Sequence, residues 1–101
     1  MQIIPTDLSD VIEIVPDVYS DSRGYFLETY QSLRYQVNGI KLSFVQDNLS
    51  YSVKNTLRGL HLQHPNDQGK LIQVIKGEIY DVAVDVRKNS PTFGKWGGVV
   101  L

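Results

Sequence analysis

The stretch Glu78 to Val86, E-I-Y-D-V-A-V-D-V, alternates with a period of two and is rich in β-branched residues, which fits a strand and not a helix. Tyr80, Val82, Val84 and Val86 then share one face, and Ile79, Asp81, Ala83 and Asp85 share the other. The first face is expected to pack and the second to be partly polar. Upstream, Lys70 opens the apolar run L-I-Q-V-I, which stops at Lys76-Gly77, so a hairpin is expected there with Glu78 to Val86 as its second arm. Similar short runs recur along the chain. Val11 to Val15 alternates around Glu13, Asp21 to Gly24 makes a polar turn into Tyr25 to Tyr30, and Phe44 to Ser52 and Thr56 to Gln63 read as a further pair. After Asn89-Ser90-Pro91 and Phe93-Gly94, the residues G-G-V-V-L begin another strand. Helical periodicity is weak and confined to about Gln31 to Val37. The fold class is mostly β.

With 101 residues and 42% hydrophobic content, the chain suits a single compact domain. Ten basic and eleven acidic residues leave a formal charge of -1, so no global field favours nucleic acid or an anionic membrane, and any anion site must be local. Cysteine is absent, which excludes disulfides and thiolate metal ligation. The start, M-Q-I-I-P-T-D, lacks the basic and apolar segments of a signal peptide, and no apolar run approaches spanning length. A cytoplasmic protein is expected.

Chemistry concentrates in T-L-R-G-L-H-L-Q, Thr56 to Gln63, where Arg58 and His61 interrupt an apolar run. A guanidinium holds phosphate or carboxylate, and an imidazole moves protons near neutral pH. The plainer alternative pairs Arg58 with a nearby aspartate and makes His61 a satisfied core residue. In F-V-Q-D-N-L-S, Phe44, Gln46, Asn48 and Ser50 point one way and Val45, Asp47 and Leu49 the other. That polar stripe is either a solvated outer face or the lining of a barrel suited to an oxygen-rich ligand such as a sugar. Strict alternation would put Arg58 and His61 on opposite faces, a conflict that a bulge at Gly59 would relieve.

Five segments in order, D-S-R-G-Y-F-L-E-T-Y, F-V-Q-D-N-L-S, T-L-R-G-L-H-L-Q, G-K-L-I-Q-V-I-K-G-E-I-Y-D-V-A-V-D-V-R and S-P-T-F-G-K-W, resemble the dTDP-4-dehydrorhamnose 3,5-epimerase family from about Asp21 to Leu101. The resemblance implies an antiparallel cupin jelly-roll barrel, a homodimer, and action on a dTDP-linked keto sugar in dTDP-L-rhamnose synthesis without metal or organic cofactor. It also implies that residues 1–101 are one cupin-like domain, incomplete at the C-terminus and the N-terminal part of a longer chain. Epimerising the carbons beside a C4 ketone needs a base and a group that stabilises the enolate. By resemblance His61 is that base and Lys70 the cation near the enolate oxygen. Arg58, Gln46 and Asn48 contact the ligand, with Asp47 between them structural or backbone-contacting. Arg23, Phe26 and Glu28 match a segment that reaches the neighbouring subunit's nucleotide site.

Burial preferences alone make Lys70 a solvated lysine and Glu28 an ordinary surface carboxylate. The three-residue spacing of His61 and His64 suggests a metal pair, but a third ligand at recognisable spacing is missing and alternation separates the rings. Trp96, Phe93 and Tyr80 read as packing aromatics. Family members continue past G-G-V-V-L, and the resemblance places the tyrosine proton donor and the histidine's aspartate partner in that continuation. The alternatives are a non-catalytic cupin fragment that binds a sugar nucleotide and a keto-sugar isomerase on the same barrel.

Overall fold

Six short strands pair as three separate antiparallel hairpins, with one short helix between the second and third, in a computed structural model describing all of residues 1–101. In chain order they are β1 (Gln2–Pro5), β2 (Ile12–Val15), β3 (Val18–Asp21), β4 (Gly24–Leu27), α1 (Ser32–Val37), β5 (Tyr80–Val84) and β6 (Trp96–Val100).

β1 and β2 pair from Gln2 opposite Val15 to Pro5 opposite Ile12. Thr6 shapes the loop between them: its Oγ1 donates to the Val11 carbonyl at 2.8 Å and accepts from the Leu8 N–H at 3.2 Å. That turn directs Leu8 inward, where it is 5% exposed and lies over Gly97 of β6, within 3.8 Å of where a Cβ there would stand. Leu8 is thus the apolar link between the first and third hairpins. Truncation of a buried leucine removes its transfer energy and leaves a void, so Leu8→Ala is expected to cost about 2–5 kcal/mol. A denaturant titration checks this: the midpoint should fall with the slope unchanged.

β3 and β4 meet across Ser22-Arg23, with Asp21 opposite Gly24. Gly24 takes φ +132°, which a residue with a Cβ rarely adopts. The Asp21 carboxylate accepts the Arg23 N–H at 2.8 Å and closes the turn. This hairpin projects as an arm, with Tyr19, Tyr25 and Phe26 largely exposed. α1 lies where the weak helical periodicity placed it. The Gln31 side chain accepts the Arg34 N–H at its start, and Tyr35 is buried on its inner face. The Tyr35 hydroxyl donates to the Thr29 carbonyl at 3.0 Å, and its ring meets Tyr30 edge-on at 4.9 Å; Tyr30 in turn meets Phe44 at 5.5 Å.

Glu78 to Val86 does hold a strand, but its partner is not the run before Gly77. β5 pairs with β6, from Tyr80 opposite Val100 to Val84 opposite Trp96, and Ile79 and Leu101 extend the ladder with two bonds of 3.0 Å. Leu71 to Ile75 forms no strand, and Phe44 to Ser52 and Thr56 to Gln63 do not pair with each other. Strand propensity there is real, yet a strand needs a backbone partner, and the nearest run in sequence does not supply it. Val45 and Leu57 are each 92% exposed in consequence. The faces of the Glu78 to Val86 segment also differ from expectation: Tyr80 and Val86 are exposed while Asp85, just beyond β5, is buried.

The core a chain of this size can close is therefore not closed here. Its accessible surface is 9169 Å², against about 5,800 Å² for a folded monomer of this mass. The radius of gyration is 15.3 Å, against about 13 Å for a compact domain of this length.

Candidate active site

Arg23 sits at the tip of the β3–β4 arm, where its guanidinium forks onto Asp21, at 2.6 Å from Oδ2 through one terminal nitrogen and 3.1 Å through Nε. The pair is exposed, and each charge favours the other: Asp21 is held below the usual carboxylate range by Arg23, and Arg23 is raised by Asp21. Solvated pairs of this kind add little stability. Their effect is to fix the direction of the guanidinium. Phe26 lies on β4 opposite Tyr19, 70% exposed, as a contact surface without an intramolecular partner face. Glu28 follows β4 and is bonded to Arg34 of α1 at 2.8 Å. With the Tyr35 and Tyr30 contacts, that ion pair makes α1 the clamp for the segment Glu28 to Tyr30. The same clamp reaches the polar stripe through Phe44.

Within the stripe, Gln46 Nε2 donates to Asn48 Oδ1 at 3.3 Å, so the two amides share a side as residues two apart on extended chain should. Asp47, between them, is exposed and forms no ion pair. Arg58 donates through Nε to Ser52 Oγ at 2.9 Å and through a terminal nitrogen to the Tyr51 carbonyl at 3.2 Å. Both acceptors are neutral. The alternative that Arg58 is consumed by an aspartate is thus contradicted, and its charge stays available for an anion.

His61 and Lys70 are exposed, and neither enters a salt bridge. The plainer alternative of a core histidine does not hold for His61 within these residues. Gly59 takes φ +103°, and no ladder runs through Thr56 to Gln63, so strand alternation does not govern how Arg58 and His61 are disposed. His64 bonds Asp67 Oδ1 at 3.0 Å through Nδ1. The structure thus joins Gln46 to Asn48 and Glu28 to α1, and links Arg58, His61 and Lys70 to one another by no hydrogen bond. Two open concavities lie elsewhere, one beside Asp7, Leu8, Lys95 and Trp96 and one between Leu8–Val11 and Ala83–Arg87.

Sequence reasoning missed the polar centre at Asp85, which is 7% exposed just beyond β5. Arg87 donates to both of its oxygens, at 3.0 and 2.9 Å, and Thr92 Oγ1 donates at 2.7 Å, with Ser90 Oγ also donating. Arg87 continues to Asp10 at 2.7 Å and to the Ser9 carbonyl at 2.9 Å, pinning the first hairpin to the third. The spacing D-V-R followed by S-P-T was the available signal, since a turn rich in hydroxyls can enclose a carboxylate. Arg87, Ser90 and Thr92 hold the Asp85 carboxyl far below the usual range, and Arg87 lowers Asp10 as well. Carboxylates depressed on folding stabilise the fold above their unfolded pKa of about 4 and lose that contribution as pH falls. Melting temperature should therefore decline from about pH 4 downward, and Asp85→Asn should flatten that decline while lowering the melting temperature at neutral pH. Melts across this pH range check it, and an unchanged neutral-pH melt would show the network to be dispensable.

Comparison with known proteins places this geometry. The family model for dTDP-4-dehydrorhamnose 3,5-epimerase matches residues 5–101. The dTDP-4-dehydrorhamnose 3,5-epimerase of Methanothermobacter thermautotrophicus is 57% identical over 98 residues, covering 97% of this chain and 53% of that protein. A crystal structure of dTDP-6-deoxy-D-glucose-3,5-epimerase from Legionella pneumophila, in complex with dTDP-4-keto-L-rhamnose, superposes with a TM-score of 0.93 at 51% identity, over 99% of this chain and 54% of that one. The Bacillus anthracis enzyme with TDP and PPi bound gives 0.90 at 47%, over 99% and 58%. The chain spans about half the length of the relatives it matches. Such agreement shows the cupin jelly-roll fold, incomplete within these residues. It also means that Phe44 to Ile75 follows the path of the relatives' chains while lacking ladder partners within residues 1–101. By its match across residues 5–101 and these identities, the chain belongs to the dTDP-4-dehydrorhamnose 3,5-epimerase family.

Proposed function

We propose that this chain carries the proton-abstracting half of an enzyme that epimerises C3 and C5 of a dTDP-linked 4-keto-6-deoxy sugar, in the synthesis of dTDP-L-rhamnose. The observation that carries this reading is the 57% identity over 97% of the chain, a span that takes in every candidate site residue. His61 removes the α-proton, Lys70 stabilises the enolate oxygen, and Arg58, Gln46, Asp47 and Asn48 serve the bound sugar nucleotide. An un-neutralised guanidinium at Arg58 and paired amides at Gln46 and Asn48 suit a ligand with both phosphate and hydroxyl groups.

Arg23, Phe26 and Glu28 act from the exposed arm on the neighbouring subunit's nucleotide, which makes a homodimer the working form. No helix is long and apolar enough to cross a membrane, and a cytoplasmic setting fits a nucleotide-sugar substrate. The names of the relatives favour the catalytic reading over the non-catalytic alternative. Incubating the full-length protein with the dTDP-linked keto sugar in deuterated water tests the reading. Deuterium is expected at both C3 and C5. Incorporation at C3 alone would make the enzyme a single-site epimerase, and none at either carbon would overturn the proposal.

A further inference from the structure

α1 ends on Asn38-Gly39, and that dipeptide carries chemistry separate from the candidate active site. An asparagine side chain can be attacked at Cγ by the backbone nitrogen of the next residue, and glycine, without a Cβ, hinders this least. The other four asparagines precede Leu49, Thr56, Asp67 and Ser90, all bulkier.

The cap withholds both reacting groups. Asn38 Nδ2 donates to the Arg34 carbonyl at 2.8 Å, and the Gly39 N–H donates to the Gln36 carbonyl at 3.0 Å. The Asn38 N–H is bonded to the Tyr35 carbonyl at 3.1 Å, and its ψ of 14° turns the Gly39 nitrogen away from its own side chain. Gly39 holds φ +92°, a conformation the cap requires. The site is nevertheless at the surface, on a helix of six residues whose last turn can open locally.

We propose that Asn38 is a spontaneous deamidation site gated by the C-cap of α1. In the opened turn the deprotonated Gly39 nitrogen bonds to Asn38 Cγ, and Nδ2 takes a proton from water and leaves as ammonia. Water then opens the five-membered imide at either carbonyl, leaving aspartate or isoaspartate, so the net change is amide plus water to acid plus ammonia. No oxidant or reductant is needed. The product has no donor for the Arg34 carbonyl and sets a negative charge beside the unpaired carbonyls of the last turn. Reaction therefore loosens the helix that clamps Glu28 and Tyr30.

The test incubates the purified protein in mildly alkaline buffer, with and without guanidinium, and follows each asparagine by peptide mapping. In guanidinium Asn38 is expected to convert first. In buffer it should convert about tenfold more slowly or slower still, the factor set by an opening free energy of about 1.4 kcal/mol. Gln31→Ala, which removes the N-terminal cap of α1, should raise the rate in buffer severalfold and leave the rate in guanidinium unchanged. Earlier conversion of another asparagine in guanidinium would overturn the site. Equal rates with and without guanidinium, or no response to Gln31→Ala in buffer, would overturn the gating.

Discussion

Replacing His61 by alanine in the full-length protein is expected to slow solvent exchange at the carbons beside the ketone by at least about a hundredfold, the lower end of what a positioned general base supplies. The reason is chemical. Abstraction of an α-proton near neutral pH needs a group that is partly unprotonated yet basic enough to take the proton, and imidazole is the side chain that meets both demands without a large shift. His61 is exposed and engaged in no salt bridge, so nothing within these residues commits its ring elsewhere. On the proposed reading Lys70 plays a different part. An ammonium near the enolate oxygen then lowers the barrier through charge, so Lys70→Ala should slow exchange at both carbons. Substrate binding measured separately should survive His61→Ala, because Arg58, Gln46 and Asn48 remain. Wild-type exchange in His61→Ala would place the base on another residue and leave Arg58 as an anion anchor only.

Local features were the ones the sequence made legible. α1, the Asp21–Gly24 turn and the strand at Gly97 to Leu101 each rest on residues within a few positions of one another, and each stands where the pattern put it. Pairing is a different matter. The Lys76-Gly77 turn signal is genuine, since Gly77 takes φ +93°, yet β5 pairs with β6 because hydrogen-bond partners are settled by the whole sheet and not by the nearest turn. Asp85 escaped for a related reason. Alternation labels its face polar, but only the return of Ser90 and Thr92 over it, with Arg87 bridging to Asp10, makes burial of that carboxylate favourable. For the candidate site, motifs identified residues and could not supply their geometry. Arg58 meeting a hydroxyl and a carbonyl, and Glu28 meeting Arg34, are outcomes of tertiary placement.

The 101-residue chain on its own is expected to self-associate and to show no turnover. It exposes about 3,400 Å² more than a folded monomer of its mass should, roughly twice the total surface that a standard protein interface buries. Much of that excess is apolar: Val45, Leu49, Leu57, Leu62 and Ile75 are each more than 70% exposed. Backbone groups add to the drive, because in three two-stranded sheets every strand is an edge with unpaired N–H and C=O groups along one side. A second copy offers both the apolar cover and the missing hydrogen bonds. Catalysis is not expected to follow from that association, since the chain spans about half the length of its relatives and Arg58, His61 and Lys70 are linked to one another by no hydrogen bond here. Sedimentation over a concentration series, run on the sample used for the deuterium-exchange assay, reads both properties together. A monomer persisting at every concentration would show that the exposed strands are covered in some intramolecular way. Exchange at the full-length rate would show that residues 1–101 assemble a competent site unaided.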